Sequence, residues 1–399
     1  MRIATANAYD NGIETLQQRQ AELTDAQNRL ASGKRVAKAS DDPAAAARAE
    51  HALASIARSD ASQRSVDASQ SAMSLTDSAL GDASTLMQQA REALVAAGNA
   101  SYTDAERQTV ANQLKAIRDQ LLDVANRTDG AGGYLFGGQG ITQKPFVDAP
   151  GGVQFSATAG QLSTDRSTSL PLSTDGRAVW MSAPTGNGVF VTAPGPGVTN
   201  AQIDVGQVSD PSAITGANYT VQFTVSGGTT TYAVLKNGNP TAITAAPYTS
   251  GQSITVDGMS FSISGAPANG DTFTIAPSTR SLSVFDTLDQ AIADLSTPGR
   301  TGAQIAQSNS QALQRMDSVM GTAQAARANV GAVLNRIDAE TSRIADQKLA
   351  GQTEESAATD LDMVQAISSF QTQQSGYSAA LQSYSMVQRL SLFQYLGNG

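Results

Sequence analysis

The sequence predicts a multidomain α+β fold, in which paired N- and C-terminal segments form a long helical bundle and the middle of the chain forms an inserted all-β domain. Glycine and proline are unevenly distributed: 23 of the 35 glycines and 11 of the 13 prolines lie between Gly130 and Arg280. Long regular helices are therefore expected outside that span. Apolar residues recur at helical spacing in both flanking thirds, and they alternate in the middle, as from Tyr219 to Val225.

Two N-terminal helices are predicted from heptad repeats. The first ends near Gly33, and its leucines recur every seven residues: Leu16, Leu23 and Leu30. The second begins at Asp42-Pro43, an N-capping acid followed by proline at the first helical position. Its heptad positions hold large apolar residues: Val66, Met73, Leu80, Met87 and Leu94. A small residue stands three positions after each of these, which lets another helix approach closely.

The remaining helices are predicted in an order that mirrors the N-terminus. A third helix opens with a capping box of Thr103 and Glu106 and is expected to run to Gly130. The C-terminal third predicts a short helix, a long helix that breaks near Gly351, and a terminal helix. Long, narrowly striped helices need partner faces, so the mirrored segments are expected to pair. The predicted domains are terminal helices at 1–40 and 353–399, a helical shaft at 41–145 and 281–352, and a β-rich domain at 146–280.

The residue types do not favour catalysis, cofactor binding or metal binding. The chain has no cysteine and one histidine, His51, which excludes zinc sites of the Cys/His and HExxH kinds. The glycine-rich run from Gly132 to Gly138 lacks the Lys-Ser/Thr ending of a phosphate loop. The formal net charge of −9 argues against nucleic acid and anionic membrane as partners. We therefore expect a protein that is not an enzyme and carries no cofactor.

Two segments resemble the signatures of the flagellin superfamily. Residues Leu30–Val36 with Ala39–Ala44 resemble its N-terminal signature, and Arg327–Ile337 resemble the C-terminal one. The start of the chain, the run Tyr134–Gly138 and the ending Ser391–Gln394 are similar to hook–filament junction members rather than filament flagellins. The resemblance implies paired terminal helices that face a tube axis, a helical shaft and an outward β domain.

The resemblance also implies a function and partners. Such a protein joins the hook-associated collar to the filament, and its partners are copies of itself in a ring, hook-associated protein 1, filament flagellin and a type III export chaperone. It is secreted, without a cleaved signal, to the extracellular flagellum. Subunit assembly is assigned to apolar residues of the terminal helices: Ile13, Leu16, Leu23, Leu30, Ile367, Phe370, Tyr377, Leu381, Tyr384, Leu392 and Phe393.

Other functions remain open on the residues alone. One is filament flagellin itself. Another, from a different class, is a surface adhesin or glycan-binding rod with the β domain as its binding end. The middle segment holds one tryptophan, Trp180, and scattered tyrosines, so convergent aromatics of the kind that line a glycan pocket are not evident. A phage-tail or pilus-like rod would share the helical pattern but not the two signatures.

Overall fold

The structure is a computed structural model that describes residues 2–164 and 169–396. Long helices lie on both sides of a β segment in the middle of the chain, and one short helix lies within that segment. They are α1 (Arg2–Ser32), α2 (Pro43–Ala97), α3 (Asp104–Ala125), α4 (Gly176–Trp180), α5 (Val284–Ser296), α6 (Gly302–Thr359) and α7 (Met363–Leu396), with a 3₁₀ turn at Pro211–Ala213. None of the described helices combines the length and the apolar character that a membrane span requires.

Helix ends follow the local chemistry in most places. After α1, Gly33 adopts φ +68°, the left-handed conformation that ends many helices. Asp42 caps α2, since its Oδ1 accepts a hydrogen bond from the backbone N of Ala45 at 3.0 Å. The predicted capping box of Thr103 and Glu106 is present at the start of α3. These side chains satisfy backbone N–H groups that have no partner within the helix.

Two predicted helix ends were wrong. Helix α3 ends at Ala125, before the predicted stop at Gly130, and the chain continues as irregular loop. Helix α6 continues through Gly351 to Thr359 instead of breaking. Gly351 is buried, and a Cβ on it would lie 3.0 Å from Ile56 Cγ1. Glycine therefore lets α6 and α2 approach closely at this point.

The heptad face of α2 lies in a packed helical core. Val66, Met73, Leu80, Met87 and Leu94 are at most 3% exposed. The small residues that follow them are fully buried: Ser69, Thr76, Ala83, Ala90 and Ala97. Helix α2 is joined to α6 by ion pairs between Arg91 and Asp317 (2.6 Å) and between Arg327 and Asp77 (2.9 Å). The alternation of large and small residues thus gives the close helix packing that the sequence predicts.

Fourteen strands are described, and all their pairings are antiparallel. They are β1 (Phe146–Ala149), β2 (Gly152–Phe155), β3 (Ala183–Pro184), β4 (Phe190–Pro194), β5 (Ala201–Ile203), β6 (Gln207–Val208), β7 (Tyr219–Ser226), β8 (Thr229–Lys236), β9 (Asn239–Pro240), β10 (Ala246–Pro247), β11 (Ser253–Val256), β12 (Met259–Gly265), β13 (Thr272–Pro277) and β14 (Arg280–Leu282). One sheet has the order β10-β8-β7-β13-β4, and another has the order β11-β12-β5.

The β segment has one hydrophobic core and an aromatic cluster at its helical end. The core runs from Phe190 to Ile275 and draws on both sheets. The aromatic cluster centres on Trp180, which is 1% exposed and lies 5.2 Å from Phe136 and 6.2 Å from Phe285 between ring centroids. Phe146 of β1 joins the same cluster. These rings pack the end of the β segment against α5.

The chain divides into two compact units. One contains residues 1–64 and 340–399, and the other contains residues 65–339. The first is helical, and the second holds the shaft core and all the strands. The predicted fold class, a helical bundle of paired terminal segments with an inserted β domain, is confirmed. The finer division into three domains stays a prediction.

Candidate functional site

The candidate site is the pair of terminal helices, α1 and α7, which pack against each other in opposite directions. A Cβ on Gly12 of α1 would lie 3.5 Å from Tyr384 Cδ2, and one on Gly376 of α7 would lie 3.0 Å from Arg19 Nη1. Moving forward along α1 therefore corresponds to moving backward along α7. At the far end of the pair, the backbone N of Leu361 donates to Gly33 O at 2.9 Å.

Neither helix buries its apolar stripe in this pair. Of the predicted assembly residues, Ile13, Ile367 and Leu381 are 41–45% exposed. The others with described side chains are half-buried: Leu16, Leu23, Leu30, Phe370, Tyr377 and Tyr384. Between residues 10 and 32 and between 363 and 386, no described side chain is buried. The two helices pack against each other, and packing against a single helix covers part of a helical face.

Two predicted assembly residues have no described side-chain environment. Leu392 and Phe393 lie in the helical backbone of α7, but their side chains fall outside the described residues. Sequence reasoning missed two exposed apolar residues on α7, Val364 at 82% and Met386 at 63%. Val364 lies about 100° round the helix from Met363, so it falls off the stripe on which the 3–4 spacing was counted. A search for one apolar stripe does not detect exposed apolar residues on another side of the helix.

The turn between α1 and α2 is tied to the end of α6. The backbone N of Arg35 donates to Thr359 O at 2.7 Å, and its guanidinium donates to Ala358 O at 2.9 Å and to Asp42 at 3.1 Å. Lys34 Nζ pairs with Glu355 at 3.1 Å. The basic residues of this segment therefore hold the turn against the end of α6.

The acids of the turn act as caps. Asp41 accepts hydrogen bonds from the backbone N of Ala37 (3.1 Å) and of Lys38 (2.9 Å), and these bonds lower the pKa of its carboxyl group. The backbone N–H of Ala45, followed by Arg35, lowers the pKa of Asp42. Asp362 caps α7 by accepting from the backbone N of Val364 at 3.0 Å and of Gln365 at 3.1 Å. Hydrogen bonds to the charged form of a carboxylate favour that form, which explains the lowered pKa of Asp41 and of Asp42.

Chemical sites are not evident in the part of the chain that the structure describes. His51 is exposed on α2. Within residues 2–164 and 169–396, no group of three or more His, Asp or Glu side chains is placed to hold a metal ion. The glycine-rich run is structural, since Leu135 and Phe136 within it are fully buried. The arrangement can contribute helical packing surface to another protein chain.

Comparison with family models assigns both ends of the chain. The model for the bacterial flagellin N-terminal helical region matches residues 3–140, and that for the C-terminal helical region matches residues 313–396. Together they span more than half of the 399 residues. Within the β segment, residues 197–277 match the D2-like domain of flagellar hook-associated protein 1.

Three of the similar proteins carry the name hook-associated protein 3. Flagellar hook-associated protein 3 of Salmonella typhimurium is 36% identical over 160 residues, which are 38% of this chain and 48% of that protein. Its Escherichia coli counterpart is 30% identical over 190 residues, 46% of this chain and 57% of that protein. The chain thus aligns with about half the length of these curated relatives. The crystal structure of hook-associated protein 3 from Legionella pneumophila is 27% identical, with a TM-score of 0.71 over 76% of this chain and 97% of that one.

Proposed function

The chain belongs to the flagellin family, and we propose that it is a non-enzymatic structural protein of the bacterial flagellum that joins the hook-associated collar to the filament. The observation that carries the proposal is the half-covered apolar stripe on α1 and α7. Ile13, Ile367 and Leu381 leave more than two fifths of their surface accessible although α1 and α7 pack against each other. Further helices laid against this pair would bury that surface, and burial contributes about 25 cal/mol per Å².

The stripe supports a definite set of partners. Copies of this chain in a ring would cover the flanks of the α1–α7 pair, hook-associated protein 1 would lie on one side of the ring, and filament flagellin on the other. The shared name of the relatives supports a place at the hook–filament junction over a place in the filament itself. The match of residues 197–277 to a domain of hook-associated protein 1 agrees with a position among the hook-associated proteins.

The same stripe supports secretion with a chaperone. Before assembly, an apolar helix face without a partner is an aggregation risk. An export chaperone that holds α7 would remove that risk while the chain leaves, unfolded, through the flagellar type III apparatus. The finished protein would then lie outside the cell.

Deleting the gene tests the proposed function. We expect the deletion strain to build hooks, to lack filaments and to release flagellin into the medium, because flagellin is exported but has no junction to polymerise on. Restoring the wild-type gene on a plasmid should restore filaments. Filaments of normal number and length in the deletion strain would overturn the proposal, and filaments with a loss of surface attachment alone would favour an adhesin.

A further inference from the structure

The Asn-Gly pairs of this chain lie in different surroundings, and these surroundings affect how readily each asparagine can lose its side-chain amide. Glycine has no Cβ to hinder its own backbone nitrogen, so an asparagine that precedes glycine can lose its side-chain amide spontaneously. The described residues contain four such asparagines: Asn11, Asn187, Asn237 and Asn269. A fifth, Asn398, lies outside the described residues. The reaction needs a free glycine N–H and an asparagine side chain able to reach it.

Both polar atoms of the Asn187 side chain are hydrogen-bonded. Its Oδ1 accepts hydrogen bonds from the backbone N of Val189 at 3.0 Å and of Phe190 at 2.9 Å, and its Nδ2 donates to Gly206 O at 3.2 Å. The nitrogen that would attack is also engaged, since Gly188 N donates to Thr185 O at 3.2 Å. Several hydrogen bonds must therefore open before this amide can react.

Two other steps are also protected. Asn269 Oδ1 accepts from the backbone N of Val225 at 3.0 Å, and Gly270 N donates to Phe223 O at 3.0 Å. Asn11 and Gly12 lie inside α1, where the backbone N–H groups belong to the helical ladder.

Asn237 stands in an open turn. It forms the two-residue connection from β8 to β9 with Gly238, between the paired residues Lys236 and Asn239. Asn237 has φ 50° and Gly238 has φ 83°, the pattern of a type I′ turn. Both residues are exposed, and Gly238 N–H has no acceptor among the described residues. A Cβ on Gly238 would meet no atom within 4 Å, so the turn is unobstructed there.

Asn237 is bonded to Asn218, but the attacking nitrogen takes no part in these bonds. Asn237 Oδ1 accepts from the backbone N of Asn218 at 3.0 Å, and Asn237 N donates to Asn218 O at 2.8 Å. Side-chain bonds of this kind are also present at Asn187 and Asn269. The glycine nitrogen distinguishes the three steps, because Gly188 N and Gly270 N donate to backbone carbonyls and Gly238 N has no acceptor among the described residues.

We propose that Asn237 is a site of spontaneous deamidation selected by the fold. The backbone nitrogen of Gly238 gives up its proton to solvent water and forms a bond to Cγ of Asn237; the Cγ–Nδ2 bond then breaks, and Nδ2 takes one proton from solvent and leaves as ammonia. The product is a five-membered succinimide. Water then adds to either carbonyl carbon of the ring and opens it, which yields aspartate or isoaspartate at position 237. No electrons are gained or lost, and water is the one co-reactant.

The modification alters the β domain locally. Isoaspartate lengthens the backbone of a two-residue turn by one carbon and removes the geometry that pairs Lys236 with Asn239. It also adds a negative charge one position along the chain from Lys236, whose Nζ lies 2.6 Å from Asp257 Oδ2. The β8–β9 pairing is therefore expected to loosen as the protein ages.

Peptide mapping by mass spectrometry tests the proposal on the purified full-length chain. After incubation in mildly alkaline buffer, we expect deamidation at Asn237 to be at least roughly tenfold faster than at Asn187 or Asn269, because Gly188 N and Gly270 N must first lose their hydrogen bonds to backbone carbonyls. The same incubation in denaturant should bring the three rates close together. The Asn237→Gly variant, which keeps a residue suited to positive φ, should lose the fast phase and leave the two slow sites unchanged.

Two results would overturn the proposal. One is a rate at Asn237 that is equal to or below the rates at Asn187 and Asn269 in the folded chain. The other is a fast rate at Asn237 that persists unchanged relative to the other sites in denaturant, because the local sequence, and not the fold, would then select the site.

Discussion

Helices α2 and α7 both carry apolar residues at regular helical spacing, and the two helices bury them to very different extents. From Val66 to Leu94, the heptad residues of α2 are at most 3% exposed. On α7, Ile367 and Leu381 are 45% and 43% exposed. Helix α2 contacts several parts of the chain. Asp82 pairs with Arg127, which follows the end of α3, and Ser69 Oγ donates to Pro171 O at 2.7 Å.

The difference lies in how far the surrounding chain covers the stripe rather than in the pattern itself. A helix in a bundle can bury its stripe against several partners, whereas the packing of α1 against α7 leaves both stripes partly exposed. Spacing therefore predicts where a stripe lies, and the fold decides whether the chain itself covers it. A stripe that the chain leaves half-covered is available to another chain.

The largest expected effect comes from removing part of the β segment. Excising residues 150–277 should strongly destabilise the helical region, because it removes Trp180 from a buried aromatic cluster, a loss of about 3–5 kcal/mol. Excising residues 186–278 should spare it. Thr185 N donates to Thr279 O at 2.9 Å and β3 pairs with β14, so a short glycine-rich link can close the gap.

Thermal melts followed by circular dichroism at helical wavelengths distinguish the two excisions. The shorter excision should keep the midpoint of the intact chain, and the longer one should lower it markedly. Equal loss of helical signal in both variants would show that the shaft depends on the whole β segment.

The next effect compares two leucines at heptad positions. Leu80→Ala in α2 should lower the free energy of unfolding by about 2–5 kcal/mol, because Leu80 is fully buried and its removal leaves a cavity. Leu23→Ala in α1 should cost less than about 1 kcal/mol, because Leu23 is half-buried and water can fill the space. Urea unfolding of the monomer measures both, and equal losses would contradict the contrast between the helices.

A smaller, pH-dependent effect is expected at Asp148. Arg118 donates to both carboxylate oxygens of Asp148, at 2.6 and 2.8 Å, and these bonds hold the pKa of Asp148 below its usual value. A carboxyl group with a lowered folded pKa stabilises the protein above its unfolded pKa of about 3.9, and this contribution is lost as pH falls through the folded pKa.

Asp148→Asn measures this contribution. The variant should be less stable at neutral pH by up to about 1 kcal/mol, since Asp148 is 49% exposed and solvent screens the pair. The difference in free energy of unfolding between the variant and the wild type should vanish below the folded pKa of Asp148. Urea unfolding at neutral pH and at a pH below the folded pKa measures the difference in free energy of unfolding between the two proteins. A difference that stays constant or grows as pH falls would contradict a stabilising role for the ionised carboxylate.

Much of the fold could be predicted because its signals are local. The caps at Asp42 and Thr103 lie within a few residues of the backbone groups they satisfy. The break expected at Gly351 could not be judged locally, because the reason for glycine there is Ile56, a residue nearly 300 positions away in the chain. Helix α4, which ends in Trp180, was likewise not predicted, because it lies in a segment whose composition favours strands and turns.

The helices that carry the candidate site could be predicted from the sequence, but the exposure of their apolar residues could not. The 3–4 spacing on α7 indicates a stripe through Ile367 and Leu381, and the helix is present as predicted. The spacing does not show that α1 leaves this stripe half-exposed, nor that Val364 is exposed on another flank. Exposure depends on how many elements cover a helix, and that number is a property of the assembled fold.

Replacing one stripe residue in the gene-deletion strain tests the central claim most directly. Leu381→Asp places a charge on the half-exposed stripe, and burying it at an interface without a partner costs several kcal/mol. Ser383→Asp, at an exposed position two residues away, is the matched control. We expect both proteins to fold with wild-type stability and to be found in the medium. Filaments should be restored by Ser383→Asp and not by Leu381→Asp. Full-length filaments at wild-type frequency with secreted Leu381→Asp protein would contradict the claim that the terminal helices form the joint.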